Sequence, residues 1–309
     1  MDLGRKGVFW FTDALTSAQL VELAQRTEEL DYTALWYPEA LGYESFSLGS
    51  FLLSHTNKLI VASGIANIYA RDAAATKQGQ HTLAKLYGGR FLLGLGVSHP
   101  PMVENARGHQ YRQPVATMRA YLGDMDKAVG IAPSLDEPPP TVLAALGPQM
   151  TALGGRRTNG VFPYNVTPEH TARARAIIGP DKWLCVEQKV LLVTDPSKAR
   201  AVARQVMTFY LPLTNYRNNW KRLGFSDEDL ARGGSDRFLD AMVAWGNEAA
   251  IRQRVQAHFD AGASHVCIHP STRMGSHYRT SMRSRRSRAR AANGVSFTAR
   301  QAKTHRGRL

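Results

Sequence analysis

A hydroxyl and an imidazole stand side by side at Ser98 and His99, directly after the run Arg90-Phe-Leu-Leu-Gly-Leu-Gly-Val97. Phe91, Leu92, Leu93, Leu95 and Val97 have the composition of a short buried strand. Gly94 and Gly96 take away side chains that would hold another molecule off the backbone. Such a strand delivers polar groups to its C-terminal end, where Gly96, Val97, Ser98 and His99 would meet a ligand. An imidazole in a polar opening titrates near neutrality and can move the proton that accompanies a hydride. Pro100-Pro101 stiffens the loop that carries it. His99 is therefore the first catalytic candidate among the ten histidines. A Gly-x-Gly within a strand has a second use, which is close packing of one chain segment on another.

Other candidates also follow strand-like runs. Glu39 comes after Ala34-Leu-Trp-Tyr37 and Pro38, where a carboxylate serves as an acid or base or caps a helix. Tyr164 and Asn165 end the run that starts at Gly160. Gly147 separates Thr141-Val-Leu-Ala-Ala145 from a helix opened by Pro148, and free N–H groups at such a helix start form a natural phosphate seat.

Eight strand candidates position these groups: Gly7–Phe11, Ala34–Tyr37, the run from Leu59 to Gly64-Ile65, the run from Arg90, Thr141–Ala145, Gly160–Asn165, Trp183–Thr194 and His265–His269. Helical stretches separate them. Thr16-Ser-Ala-Gln19 has capping-box spacing and predicts a helix to Leu30, with Leu20, Leu23, Ala24, Thr27 and Leu30 facing the sheet. Ser45–Ser54 and Asp72–Tyr87 read as the next two helices. Thr167-Pro168 and Asp195-Pro196 are further helix starts. Strands alternating with helices, and chemistry at the strands' C-terminal ends, predict a single (β/α)8 TIM barrel over residues 1–270.

Composition bounds the reading. A chain of 309 residues with 43% apolar content buries a large core. No run is long and apolar enough for a membrane span, so a cytoplasmic enzyme acting on a small molecule is expected. Cys185 and Cys267 fall within strands without metal-like spacing and read as core residues; no metal is expected. The net charge of +14 is concentrated at one end: residues 271–309 hold 11 Lys or Arg and no Asp or Glu, which leaves 28 basic against 25 acidic residues, or +3, for residues 1–270. The tail has no apolar periodicity and reads as disordered. A nucleic-acid partner is therefore expected for the tail if anywhere, and not for the body.

Gly64-Ile-Ala-Asn-Ile-Tyr-Ala-Arg71, then a helix, then Gly89-Arg-Phe-Leu-Leu-Gly-Leu-Gly96 resembles the luciferase-like monooxygenase superfamily, in particular its coenzyme F420-dependent branch. The resemblance runs from Gly7 to about Pro270. It implies hydride transfer between the deazaflavin C5 and a small organic substrate, with His99 or Glu39 moving the proton. It also implies a bulge with a non-prolyl cis peptide at Gly64-Ile65 under the central ring, and Asn67 at the ring's polar rim. The cofactor phosphate would sit at Gly147, Gln149 and Met150, with Asn165 at the mouth. The long crossover Lys198–Asp240, with Tyr210, Tyr216, Trp220 and Phe225, matches an insertion that covers the mouth in the family, although aromatic residues at these intervals also serve helix packing.

This chain departs from the pattern in three places. Ala40 stands where relatives often have His, Ser98-His99 stands where many have Gly-Glu, and Arg156-Arg157-Thr158 replaces a more acidic run. The basic tail stands where a closing helix is expected. The resemblance implies a possible homodimer and leaves three rival readings: an FMN-dependent luciferase-like monooxygenase, a nucleic-acid-binding protein acting through its tail, and a barrel left unstable without its last helix.

Overall fold

The computed structural model describes residues 1–129 and 137–271. The expected rigid connector Ile131–Pro140 lies outside these residues as far as 136, and the expected disordered tail lies outside them from 272 on. The strands are β1 Lys6–Phe9, β2 Ala34–Tyr37, β3 Ile60–Ser63, β4 Ala66–Asn67, β5 Phe91–Gly96, β6 Thr141–Ala144, β7 Gly160–Phe162, β8 Trp183–Leu191, β9 Val243–Trp245 and β10 His265–Pro270. The sheet runs β10-β1-β2-β3-β5-β6-β7-β8, and β8 pairs back onto β10, so eight strands close a parallel barrel. Parallel neighbours need long crossovers, which helices supply here. With every strand pointing the same way, all the C-terminal loops open at one mouth.

Two of the expected features have clear physical causes. Thr16 accepts from the Gln19 amide while Gln19 reaches back to the Thr16 amide, and this capping box starts helix Ser17–Glu29. Leu20, Ala24 and Thr27 are buried on it. Leu30 is not: it is 52% exposed, because the helix ends at Glu29 and the chain turns away through Asp31 at positive φ.

β3 and β4 are one strand interrupted by a bulge. Val61 opposes Phe91, thirty residues on, whereas Ala66 opposes Leu95, twenty-nine on, so the first strand has gained one residue. The Gly64–Ile65 bond in this bulge is cis, as the resemblance implied. The Ser63 hydroxyl takes over the broken ladder, accepting from the Gly94 amide and donating to the Gly94 carbonyl at 2.9 Å each. The two strand glycines serve this packing and do not hold space open for a ligand: a Cβ on Gly94 would lie 2.1 Å from the Ser63 carbonyl oxygen, and one on Gly96 2.5 Å from Ile65 Cγ1.

Inside the barrel, Phe9, Trp36, Phe162, Ile60 and Leu92 form a plug with Cys185 and Cys267, and Trp36 stacks on Phe162 at 4.5 Å between centroids. Both cysteines are free and buried. A larger core packs the outer strand faces against the helices. Among the described residues no cluster of metal-ligand side chains occurs, and no helix is long and apolar enough to cross a membrane.

Between β8 and β10 the chain inserts helices Pro196–Met207, Thr214–Arg222 and Asp236–Met242, then β9 and helix Glu248–Asp260. Three residues of β9 pair with the upper end of β8, Lys189 opposite Val243 and Leu191 opposite Trp245. The insertion has its own core of Met207, Tyr216, Trp220, Phe238 and Leu239, on which Leu146 and Tyr164 from the barrel mouth are packed. The aromatic residues of this stretch thus do pack helices, and the cluster they build is seated on the mouth.

Candidate functional site at the barrel mouth

The β2–β5 side of the mouth is a closed polar joint. Glu39 is buried, and its oxygens accept from the Asn67 amide at 2.7 Å, from the Ser45 amide at 3.2 Å and from both terminal nitrogens of Arg71. Arg71 also holds Glu44 at 2.7 Å, and its guanidinium is pushed up in pKa because the two carboxylates outweigh its partial burial. Every acceptor direction of Glu39 therefore points into the protein, so the structure gives this carboxylate an ordering role at the bulge. Asn67 has its amide on Glu39 and its side-chain oxygen on the Tyr69 amide. Gly64 and Ile65 are half-buried at the opening, and a Cβ on Gly64 would meet Phe9 at 3.0 Å. Ile65 fills the space left by buried Gly96, beside half-buried Val97.

On the facing side, helix Thr214–Arg222 runs past the ends of β5, β6 and β7. Ser98 turns the chain at φ 57°, and His99 follows at the start of helix Pro100–Arg107. Its ring lies 5.5 Å from that of Tyr216. Burial pushes the His99 pKa down to about 4, against a smaller upward pull from the neighbouring Asn215 amide. His99 is thus a neutral imidazole at neutral pH. The Asn165 carbonyl accepts from Trp220 Nε1 at 3.0 Å, and Asn165 sits at φ 56°. Gly147 precedes helix Pro148–Arg157, with Arg222 Nη2 3.6 Å from where its Cβ would be. Gln149 is exposed at that helix start, whereas the Met150 side chain is buried in the outer core and leaves only its backbone for a ligand.

Several buried polar atoms at this side have no hydrogen-bond partner: Asn165 Oδ1 and Nδ2, Asn215 Oδ1, Asn219 Nδ2, His99 Nδ1 and His170 Nδ1. Buried polar groups are ordinarily satisfied, so such a cluster needs explaining. All six atoms belong to the ends of β5 and β7, to helix Pro168–Ile178, whose His170 holds the Leu146 carbonyl at 3.0 Å, and to the insertion helix. These atoms are closed to solvent, whereas the Gly147 helix start beside them has Arg222 within reach.

The sequence reading missed a third group, a charge cluster inside the barrel just below the rim. Glu187 and Lys189, both fully buried, pair at 2.9 Å, and Glu187 Oε1 is also 2.9 Å from His269 Nδ1. The Asn165 amide donates to Glu187 Oε2 at 3.2 Å. Tyr164 OH lies 2.8 Å from Tyr210 OH and 3.3 Å from His269 Nδ1, and the Lys189 ammonium rests 3.9 Å from the Tyr164 ring centre. Burial opposes ionisation of Glu187, but Lys189 and His269 outweigh it and hold the carboxyl at about 2. Burial lowers Lys189 and His269. The signal was present in the sequence: Glu187 and Lys189 are two apart, with Gln188 between them, in a strand whose other residues are apolar, so they share one face and require a partner there.

A chain of contacts links the predicted residues. Gly64 meets Phe9, Phe9 lies 5.2 Å from Tyr164, Tyr164 lies 6.4 Å from Tyr216, and Tyr216 adjoins His99, while the helix carrying Tyr216 also reaches Gly147 and Asn165. Fold and site together define a parallel (β/α)8 barrel whose mouth is roofed by an insertion after the seventh barrel strand. The chain belongs to the luciferase-like monooxygenase family, whose profile matches residues 7–265, and this places it among oxidoreductases. It is 23% identical to a Mycobacterium tuberculosis protein provisionally assigned as a coenzyme F420-dependent oxidoreductase, over 87% of this chain and 94% of that one. An F420-dependent secondary alcohol dehydrogenase, solved with an F420-acetone adduct, superposes with a TM-score of 0.72 at 12% identity, covering 87% of this chain and 94% of that one. The FMN-bound oxygenating component of 3,6-diketocamphane monooxygenase from Pseudomonas putida superposes at 0.63 and 13% identity, over 86% and 91%.

Proposed function

We propose that the protein is an F420-dependent oxidoreductase acting on a small organic substrate. The observation that carries this reading is the likeness, over 87% of this chain, to a protein provisionally assigned as a coenzyme F420-dependent oxidoreductase, together with the Gly147 helix start and Arg222 at the mouth. The phosphate of such a cofactor would end at that helix start, and its flat ring would rest against Gly64 and Ile65. The bound deazaflavin supplies hydride chemistry at C5. The residues of the chain do the rest. Ile65 and Asn67 orient the ring face and rim, and Gly147 and Gln149 offer backbone amides to the phosphate. The insertion excludes water, and His99, neutral at pH 7, is one of the imidazoles at the mouth able to take a proton. Glu39 serves by holding Asn67 and Arg71 in place.

A titration with F420 and with FMN, read through the five tryptophans, tests the reading. Tight F420 binding with weak FMN binding is the expected result. Preferential FMN binding would turn the assignment to the flavin monooxygenase reading, which the camphane-monooxygenase likeness supports. Residues 1–270 act as the enzyme in this proposal and the basic tail is an appendage. A chain cut after 271 therefore keeps its cofactor affinity.

A further inference from the structure

The oxidoreductase reading gives His99 the proton, yet the barrel contains a second imidazole with better support. His269 ends β10, and its Nδ1 faces Glu187 Oε1 at 2.9 Å. An ionised carboxylate only accepts, so the proton on that contact belongs to His269 Nδ1, and Nε2 carries the lone pair. Among the described residues no hydrogen bond reaches Nε2, and the His269 side chain is 10% exposed. The ring is held from every side. Phe9 and Phe11 of the first barrel strand and its loop lie 5.0 and 5.4 Å away, and Tyr164 lies 6.3 Å away and touches Nδ1 through its hydroxyl. Phe9 in turn is the side chain against the Gly64 bulge.

The charged and titratable groups facing His269 are Glu187 and Lys189 from β8, and Tyr164, with Tyr210 behind it. Tyr164 is raised by burial and stays protonated, and Lys189 is turned toward Glu187 and the Tyr164 ring. The group so arranged is a carboxylate-oriented neutral imidazole, the arrangement that makes a histidine a positioned base.

We infer that Glu187 and His269 form the proton-transfer pair of this enzyme, with His269 Nε2 as the base at the mouth and Glu187 as the residue that fixes its tautomer. This rests on the oxidoreductase reading. In the oxidative direction the hydride of a substrate C–H would pass to a deazaflavin held at the mouth. The proton of the adjacent O–H or N–H goes to Nε2, and the C–O or C–N bond becomes double. The reverse direction returns both. Lys189 keeps Glu187 ionised through the cycle, so that the imidazolium formed has a carboxylate to face.

Full-length protein labelled with 15N-histidine tests the pair by NMR at neutral pH, with the His269 resonances assigned from His269→Gln. The expected result is a neutral Nδ1–H tautomer for His269, an Nε2 resonance that moves when oxidised F420 is added, and loss of the tautomer preference in Glu187→Gln/Lys189→Met, which removes both buried charges together. An Nε2–H tautomer overturns the inference. So does an Nε2 resonance unmoved by F420 while other signals report binding. F420 that moves no signal at all defeats the F420 reading instead, and the tautomer still decides whether the dyad exists.

Discussion

Two buried carboxylates, Glu39 after β2 and Glu187 on β8, belong to the same barrel and do different things. Each lies beside a cation, Arg71 for the first and Lys189 for the second. Glu39 spends its remaining acceptor capacity on two backbone amides, so the pair is a closed joint that fixes the bulge and the start of helix Ser45–Ser54. Glu187 spends part of its capacity on an imidazole whose other nitrogen has no partner among the described residues. A buried ion pair is thus structural or chemical according to whether its last contact ends inside the protein or at a group that can pass a proton on.

Removing one partner of the closed joint has the largest expected effect. Glu39→Ala leaves Arg71 without its buried counter-charge and should cost about 3–5 kcal/mol in urea unfolding, as broken buried pairs do. If the variant keeps its stability and instead loses turnover, the contrast between the two carboxylates fails.

Acid should act on the other side. Lys189 and His269 hold Glu187 well below the ordinary 4.5, so its contribution is present above 4.5 and is lost as pH falls toward about 2. His99, His258 and His265 are held down to about 4 by burial, so the unfolded chain binds more protons and stability begins to fall below about 6.5. Urea midpoints measured from pH 7 to 3 should decline in two stages, and Glu187→Gln/Lys189→Met should shrink the lower stage, to which Glu28, Glu44 and Asp240 also contribute, and leave the upper one.

Arg222→Ala sharpens the comparison from the ligand side. It should weaken binding of a phosphate-bearing cofactor about tenfold, or about 1.4 kcal/mol, while leaving the melting temperature unchanged. Tyr164→Phe is the smallest change. It removes a hydroxyl shared with Tyr210 and His269 and should cost about 1 kcal/mol in thermal unfolding.

Much of the barrel was legible because strands and helices are written locally. Ala34–Tyr37 and Ser45–Ser54 appear with the bounds their composition suggested, and Thr16 and Gln19 close the helix start that their spacing announced. β9 was not legible, since three residues of Val-Ala-Trp have no period to read and form a strand only because the upper edge of β8 is there to pair with. The glycines of β5 were read as room for a ligand. Their neighbours Ser63 and Ile65, about thirty residues earlier, occupy that room.

By itself the sequence determined which residues reach the mouth, because a parallel strand's last residues must emerge at its C-terminal end wherever the strand lies. Only the tertiary structure decided which of those residues are spent on holding the protein together. Glu39 is consumed by Arg71, from a segment beyond the bulge, while Glu187 and His269, 82 residues apart, come together through the closure of β8 on β10. Proton chemistry depends on such through-space distances of a few ångströms, and no local pattern along the chain encodes them.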